Sequence, residues 1–341
     1  MKISKNLDVQ VIAEVGVNHN GKLSLAKKLI LEAKKCGADF VKFQIYNPDE
    51  ITTPYANKTD YQKENDGLKD NQYNMLKRYN LTFKQFKILK DYCKKKNIKF
   101  LASAFDITSL NNLKKLKLNF YKIPSGEITN IPYLEHLGKM KKKVFLSTGM
   151  ATLKEISHAI NVLKKSGLKK SQITIMQCTS NYPTKISDLN LNVLNTFKKK
   201  FNLKLGFSDH STAVESPLFA IFNGARIIEK HITLDKKMKG PDHKASLNVA
   251  EFKKMIENIY NFKSSLGKFT KKPNKQERRT ALLVRKSIVA KKKIKKGETF
   301  NNLNLTCKRP GYGIPSSKIK MLLNKKSNKN YNTNQMIKIN L

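Results

Sequence analysis

Over the first 265 or so residues, short β-branched or apolar runs alternate with amphipathic stretches whose polar face is mostly lysine. The runs predict strands over 9–16, 38–44, 99–105, 120–126, 143–149, 173–179, 203–210 and 225–233. Between them the 3.6-residue period predicts helices, as over 23–36, where Leu25, Leu29, Ile30 and Ala33 share one face. Segments 83–96, 153–165, 214–223 and 250–266 behave alike. Strands that are each followed by a helix or long loop run parallel and are joined by crossovers. Eight such units in this length fit a closed α/β architecture, the (β/α)8 TIM barrel. A doubly wound open sheet is the alternative, but no glycine-rich dinucleotide fingerprint follows the first strand.

Two stretches break the alternation. Residues 48–79 form a long polar insertion with Pro, Asn, Asp and several Tyr, the character of a lid or an interface arm. Residues 268–280 are charged and carry a proline, as a linker does. Beyond them, strand-like runs at 287–290, 299–300 and 305–308, with turn residues and Gly311-Tyr312-Gly313, predict a small β-rich module. The expected organisation is therefore a barrel over 1–267, a linker over 268–280 and a β-rich domain over 281–341.

The charge changes this picture less than its size suggests. The chain of 341 residues carries 68 Lys and Arg against 25 Asp and Glu, a net charge of +43 that raises nucleic acid or a membrane surface as partners. Yet 62 of the basic residues are lysine, and base readers rely on arginine's planar fork. Lysine spread over every segment, beside abundant Asn and Ile, is a compositional bias, so no nucleic-acid partner is expected. Residues 1–10 hold no apolar run of leader length, and no stretch of about 18 apolar residues occurs, so no membrane partner is expected. Cys36, Cys93, Cys178 and Cys307 lie far apart without a CxxC pair, and read as buried small hydrophobes in a reducing cytoplasm.

In a barrel of this type the chemistry sits at the C-terminal ends of the strands. Strand alternation puts Lys42 with Gln44 on one face, Ser208 with His210, and Glu229 with His231. Glu14, Lys122 and Ser147 occupy comparable ends. Lysines and hydroxyls converging on one mouth suit a compact anion such as a phosphate or carboxylate. His136 and His158 fall in helical stretches and read as solvated. His210 and His231 end adjacent strands, and can hold a divalent metal with waters or form a hydrogen-bonded structural pair.

The runs Ala13-Glu14-Val15-Gly16-Val17-Asn18-His19-Asn20-Gly21, Lys42-Phe43-Gln44, Lys122-Ile-Pro-Ser-Gly-Glu127, Ser147-Thr-Gly-Met150, Ser208-Asp-His210, Ile228-Glu-Lys-His231 and Gly240-Pro-Asp-His-Lys-Ala-Ser246 together resemble one enzyme family. It is that of the N-acetylneuraminate (sialic acid) synthases, with the legionaminic acid synthases. Residues 287–294, Lys296-Gly297-Glu298 and Lys308-Arg309-Pro310-Gly311 resemble its C-terminal antifreeze-like (SAF, β-clip) domain, so the likeness spans essentially the whole chain.

The resemblance implies a metal-dependent condensation of phosphoenolpyruvate with an N-acetylated hexosamine, normally N-acetylmannosamine, releasing phosphate. Legionaminic acid synthesis from a 2,4-diacetamido-2,4,6-trideoxy sugar is the alternative, and pseudaminic acid synthesis a weaker third. By the same resemblance His210 and His231 hold Mn²⁺, or Mg²⁺ or Co²⁺. Glu127 handles protons, with Glu14 and Glu229 supporting it. Lys42, Lys122, Ser125, Ser147, Ser180 and Ser208 match phosphoenolpyruvate-binding positions. Gln44, Tyr182 and Asp242 match sugar-binding ones. Arg309 matches an arginine that reaches the acyl-amino group from a second subunit, which implies a domain-swapped homodimer. Ala102-Ser103-Ala104-Phe105 departs from the family's Ser-Thr-Pro-Phe, and Ser180 stands where members carry Asn or Thr. Two competing readings are a nucleic-acid-binding module and a catalytically silent scaffold. The arginine scarcity argues against the first, and the joint presence of His210, His231, Lys42 and Lys122 against the second.

Overall fold

The computed structural model describes residues 8–339; residues 1–7, part of the stretch read above for an apolar leader, and residues 340–341 lie outside the described residues. The chain divides into two compact units, Met1–Gly267 and Lys268–Leu341.

In the first unit eight parallel strands close on themselves: β1 (Gln10–Gly16), β2 (Phe40–Ile45), β3 (Lys99–Ala104), β4 (Phe120–Ile123), β5 (Lys143–Ser147), β6 (Ile173–Cys178), β7 (Lys204–Asp209) and β8 (Ile227–Thr233). Each pairs with its neighbour in sequence, and β8 returns to pair with β1. Closure removes every open edge of the barrel. The expected TIM barrel is the observed one, and the doubly wound sheet is excluded by the β1–β8 pairing.

The helices form because their apolar residues recur on one face and their ends are capped. In the helix Leu23–Cys36, Ala26, Leu29, Ile30 and Ala33 are buried, and Gly37, in the left-handed region at φ 96°, returns its N–H to Ala33 and Lys34 carbonyls. Helix Leu153–Lys165 starts in a capping box between Thr152 and Glu155. Lysines fill the last turns of many helices, among them Lys34 and Lys35, Lys94 and Lys95, Lys114 and Lys115, and Lys198 to Lys200. Cations there offset the negative end of the helix macrodipole, which gives part of the lysine excess a structural use.

The insertion is more ordered than its polar composition indicates. It carries three helices, Pro48–Ile51, Asp60–Asp66 and Gln72–Tyr79. Asp66 ties the second and third of these together, accepting hydrogen bonds from Lys58 Nζ, Arg78 Nη2 and Tyr79 Oη, each at 2.7 Å. Expected strand 120–126 stops at Ile123, and Ser125–Glu127 is a 3₁₀ turn. Pro124 contributes no backbone donor to prolong the ladder.

In the second unit the expected linker 268–280 is corrected from Lys275 onward, where the helix Lys275–Val284 begins. Asn274 and Glu277 make a capping box, and good helix formers follow, so local propensity outweighs the charged composition. Strands Ser287–Ala290 and Leu305–Lys308 pair antiparallel. Residues 299–300, expected as a strand, supply only an isolated bridge from Thr299 to Lys326. Ile288, Ile294, Phe300, Leu305, Leu322, Tyr331 and Ile337 form this unit's own core. No helix among the described residues is long and apolar enough to cross a membrane.

Candidate active site

The period of two along each strand sorts the barrel interior into layers. The lowest is an apolar plug of Ile12, Phe40, Leu101, Phe145, Met176 and Ile227. Two residues further along the strands come Glu14, Lys42, Ser103, Ser147, Cys178 and Glu229, and beyond these Gln44 and His231. The plug closes one end, so the polar layers open only toward the strands' C-terminal ends.

A cavity of about 410 Å³ occupies that end. Glu14, Lys42, Gln44, Lys122, Ser125, Glu127, Ser147, Ser180, Tyr182, Ser208, His210, Glu229, His231 and Asp242 all line it. Arg309 lies in the second unit, exposed just after the strand Leu305–Lys308.

At the floor, Glu229 Oε1 accepts from Lys122 Nζ at 2.7 Å and Ser208 Oγ at 2.9 Å, and Lys42 Nζ is 3.6 Å away. Lys42 also donates to Ser103 Oγ at 3.0 Å and pairs with Glu14 Oε2 at 3.1 Å. Ser103, the departure at the third strand, thus keeps a hydroxyl in contact with Lys42. Burial pushes the Glu229 carboxyl up, but the ammoniums of Lys122 and Lys42 outweigh it and hold Glu229 down at about 2. Glu14 goes the other way, because burial dominates over Lys42 and raises it to about 7. One carboxylate is therefore locked ionised while the other titrates near neutrality.

The mouth is histidine and aromatic. His210 and His231 have ring centroids 5.4 Å apart. The Nδ1–H of His210 donates to the Thr179 carbonyl at 2.7 Å, which leaves Nε2 for other use. Burial, then His210 and Lys42, pushes His231 well below the usual imidazole range, so its ring is neutral. Tyr182 stacks on His210 at 4.1 Å, and Tyr61 stacks on Tyr182 at 5.0 Å.

On the opposite wall Ser125 Oγ accepts from the Gly149 N–H at 3.0 Å. A Cβ on Gly149 would lie 2.2 Å from Ser180 Oγ and 2.7 Å from Ser125 Oγ, so only glycine admits both hydroxyls there. Ser147 Oγ, Glu229 Oε2 and His231 Nδ1 are buried in the cavity wall without a hydrogen-bond partner among the described residues. Buried polar atoms left unpaired at one place mark a surface shaped for a polar ligand.

Four lining residues, three of them from the insertion, escaped the sequence reading. Tyr61, Gln62 and Thr59 come from the insertion. The Thr59-Asp-Tyr-Gln62 spacing is the available signal for the helix that presents them, and Gln62 Oε1 does accept from the Thr59 N–H at 3.1 Å. Cys178, read as a packing residue, faces the cavity within 3.9 Å of His210 Nδ1 and 3.6 Å of Ser125 Oγ. Its parity with Met176 was the clue.

The sequence pattern of the NeuB family matches residues 29–271. The chain belongs to the NeuB family. The SAF domain pattern matches residues 285–340, so the family's two parts are both present. Among the members, N,N'-diacetyllegionaminic acid synthase of Campylobacter jejuni subsp. jejuni serotype O:2 is 46% identical, over 96% of this chain and 98% of its own. N,N'-diacetyllegionaminic acid synthase of Legionella pneumophila subsp. pneumophila is 40% identical, over 91% of this chain and 87% of its own. In structure, the N-acetylneuraminic acid (sialic acid) synthetase of Leptospira borgpetersenii serovar Hardjo-bovis superposes with a TM-score of 0.69 at 35% identity, covering 81% of this chain and 91% of its own. This NeuB family chain is thus an enzyme of the sialic and legionaminic acid synthase group.

Proposed function

We propose that this NeuB family member condenses phosphoenolpyruvate with an open-chain N-acylated hexosamine, giving a nine-carbon 2-keto sugar acid and inorganic phosphate. The observation that carries the reading is the cavity floor, where two buried ammoniums, Lys42 and Lys122, share Glu229 as an ionised partner. With Glu14 held near neutrality, the floor keeps a surplus of positive charge for a phosphate and a carboxylate. Ser125, Ser147, Ser180 and Ser208 add hydroxyls around it.

The C3 carbon of the enol attacks the aldehyde carbon, water adds at C2, and the C2–O bond to phosphate then breaks. Glu127, raised by burial and holding Asn130 at 2.6 Å, and Glu14 are the groups able to exchange the protons. Glu229, locked ionised, orients the lysines. The imidazoles fit a divalent cation: His231 is neutral with a buried, unpartnered Nδ1, and His210 is oriented by Thr179. Among the described residues no group of three or more His, Cys, Asp and Glu could hold a metal, so two imidazoles would share it with water and substrate. Bound there, Mn²⁺, or Mg²⁺ or Co²⁺, supplies Lewis acidity toward a carbonyl oxygen. A homodimer in which a second copy supplies Arg309, and a cytoplasmic setting, belong to the same reading.

For the sugar, the two legionaminic acid synthase relatives favour 2,4-diacetamido-2,4,6-trideoxymannose. Ile51, Met75, Leu76 and Tyr79 make one wall apolar, which suits a deoxygenated, doubly acylated sugar better than a fully hydroxylated one. N-acetylmannosamine is the second reading, favoured by the likeness to the Leptospira synthetase. Purified protein given Mn²⁺, phosphoenolpyruvate and each sugar separates them by phosphate release and product mass. The expected preference for the trideoxy sugar is about tenfold or more in kcat/KM. No phosphate release with either sugar overturns the reading.

A further inference from the structure

Two buried charged residues take no part in the cavity. Asp209 and Lys230 immediately precede His210 and His231 in sequence, and strand alternation turns their side chains to the outside of the barrel. They are register partners on β7 and β8. There Lys230 Nζ meets Asp209 Oδ2 at 2.5 Å, with both side chains almost fully buried.

The pair is completely satisfied. Lys230 spends its remaining two protons on Ser211 Oγ at 3.2 Å and the Ala213 carbonyl at 3.0 Å. Asp209 Oδ2 also accepts from Ser216 Oγ at 2.5 Å, and Oδ1 from the Ser211 N–H at 2.8 Å. The network fastens the end of β7, the end of β8 and the 211–216 loop to one another. A buried ion pair brings little stability over an apolar pair of similar volume, but it fixes geometry because its donors and acceptors accept few arrangements.

We propose that Lys230 and Asp209 form a positioning pair that sets the separation and aim of His210 and His231 for a divalent cation. The inference rests on the reading that these imidazoles bind one. The two residues touch neither substrate nor ion. They act through the backbone, since a shift of either strand end on the outside moves the next residue on the inside.

The test titrates metal-stripped full-length protein with Mn²⁺, followed by electron paramagnetic resonance, beside circular dichroism and thermal unfolding. The variants are the double change Lys230→Met with Asp209→Leu, which removes both charges, and Lys230→Arg. The expected result is a folded double variant with Mn²⁺ affinity lowered about 10- to 100-fold, and most of the affinity kept in Lys230→Arg. A folded double variant with wild-type Mn²⁺ affinity overturns the proposal. Should the double variant not fold, Ser216→Ala decides, because it keeps both charges while releasing one Asp209 contact: Mn²⁺ binding weakened several-fold supports the pair, and unchanged binding overturns it. A wild-type protein that binds no Mn²⁺ overturns the metal reading itself, an outcome distinct from the others.

Discussion

Lys122 Nζ, on β4, lies 2.7 Å from Glu229 Oε1, on β8, so the pair reaches across the barrel interior rather than along neighbouring strands. Lys42 approaches the same oxygen to 3.6 Å and meets Glu14 Oε2 at 3.1 Å, so the two ammoniums face one carboxylate held ionised and one that titrates near neutrality. An arriving dianion can take up the charge that Glu229 and a partly protonated Glu14 leave unneutralised.

Replacing Lys122 by alanine is expected to raise the KM for phosphoenolpyruvate at least about tenfold, the usual loss for a charge-assisted contact. The KM for the sugar should move much less. Steady-state kinetics with each substrate varied in turn checks this, and unchanged constants for phosphoenolpyruvate contradict the placement of Lys122.

His210→Ala and His231→Ala should each abolish Mn²⁺-dependent turnover and lower Mn²⁺ affinity. Equilibrium dialysis of the metal reads the second effect independently of activity. Full activity in both variants removes these imidazoles from any metal site.

Glu14 carries a pH signature. Burial raises it to about 7, above the ordinary carboxylate value, so the native state holds a proton that the unfolded chain releases earlier. Its contribution to stability is present below about pH 4.5 and is lost as pH rises through about 7. Glu14→Gln should therefore lose less unfolding free energy than the wild type between pH 5 and pH 8 in urea titrations. The same change should remove a limb with apparent pKa near 7 from the profile of kcat/KM.

Asp66→Ala should destabilise the protein by about 2 kcal/mol, because it strips Lys58, Arg78 and Tyr79 of a shared buried acceptor while Asp70 stays beside Lys58. The helix Asp60–Asp66 carries Tyr61 and Gln62 to the cavity, so the KM for the sugar should rise more than that for phosphoenolpyruvate. Equal rises would mean that the insertion does not face the sugar.

Much of this was legible locally. Period-two alternation put Lys42 beside Gln44 and Glu229 beside His231, and period 3.6 found the helix Leu23–Cys36. These patterns depend only on near neighbours along the chain. The helix Lys275–Val284 was equally local, since Asn274 and Glu277 mark its start, and the charged composition obscured it. The same parity that placed Glu229 inside placed Cys178 inside as well.

What no local pattern holds is which interior residues meet. Lys122 and Glu229 are 107 residues apart in sequence, and their contact exists only because β8 closes on β1 in one register. Tyr61 reaches Tyr182, which in turn stacks on His210, only through the packing of an insertion whose composition resembles a loop. Alternation along each strand already decides which side chains face the barrel axis and which chemistry they bring there. Tertiary structure decided the pairings, and through them which carboxylate stays ionised and which titrates, because desolvation and charge proximity depend on distances that closure alone sets.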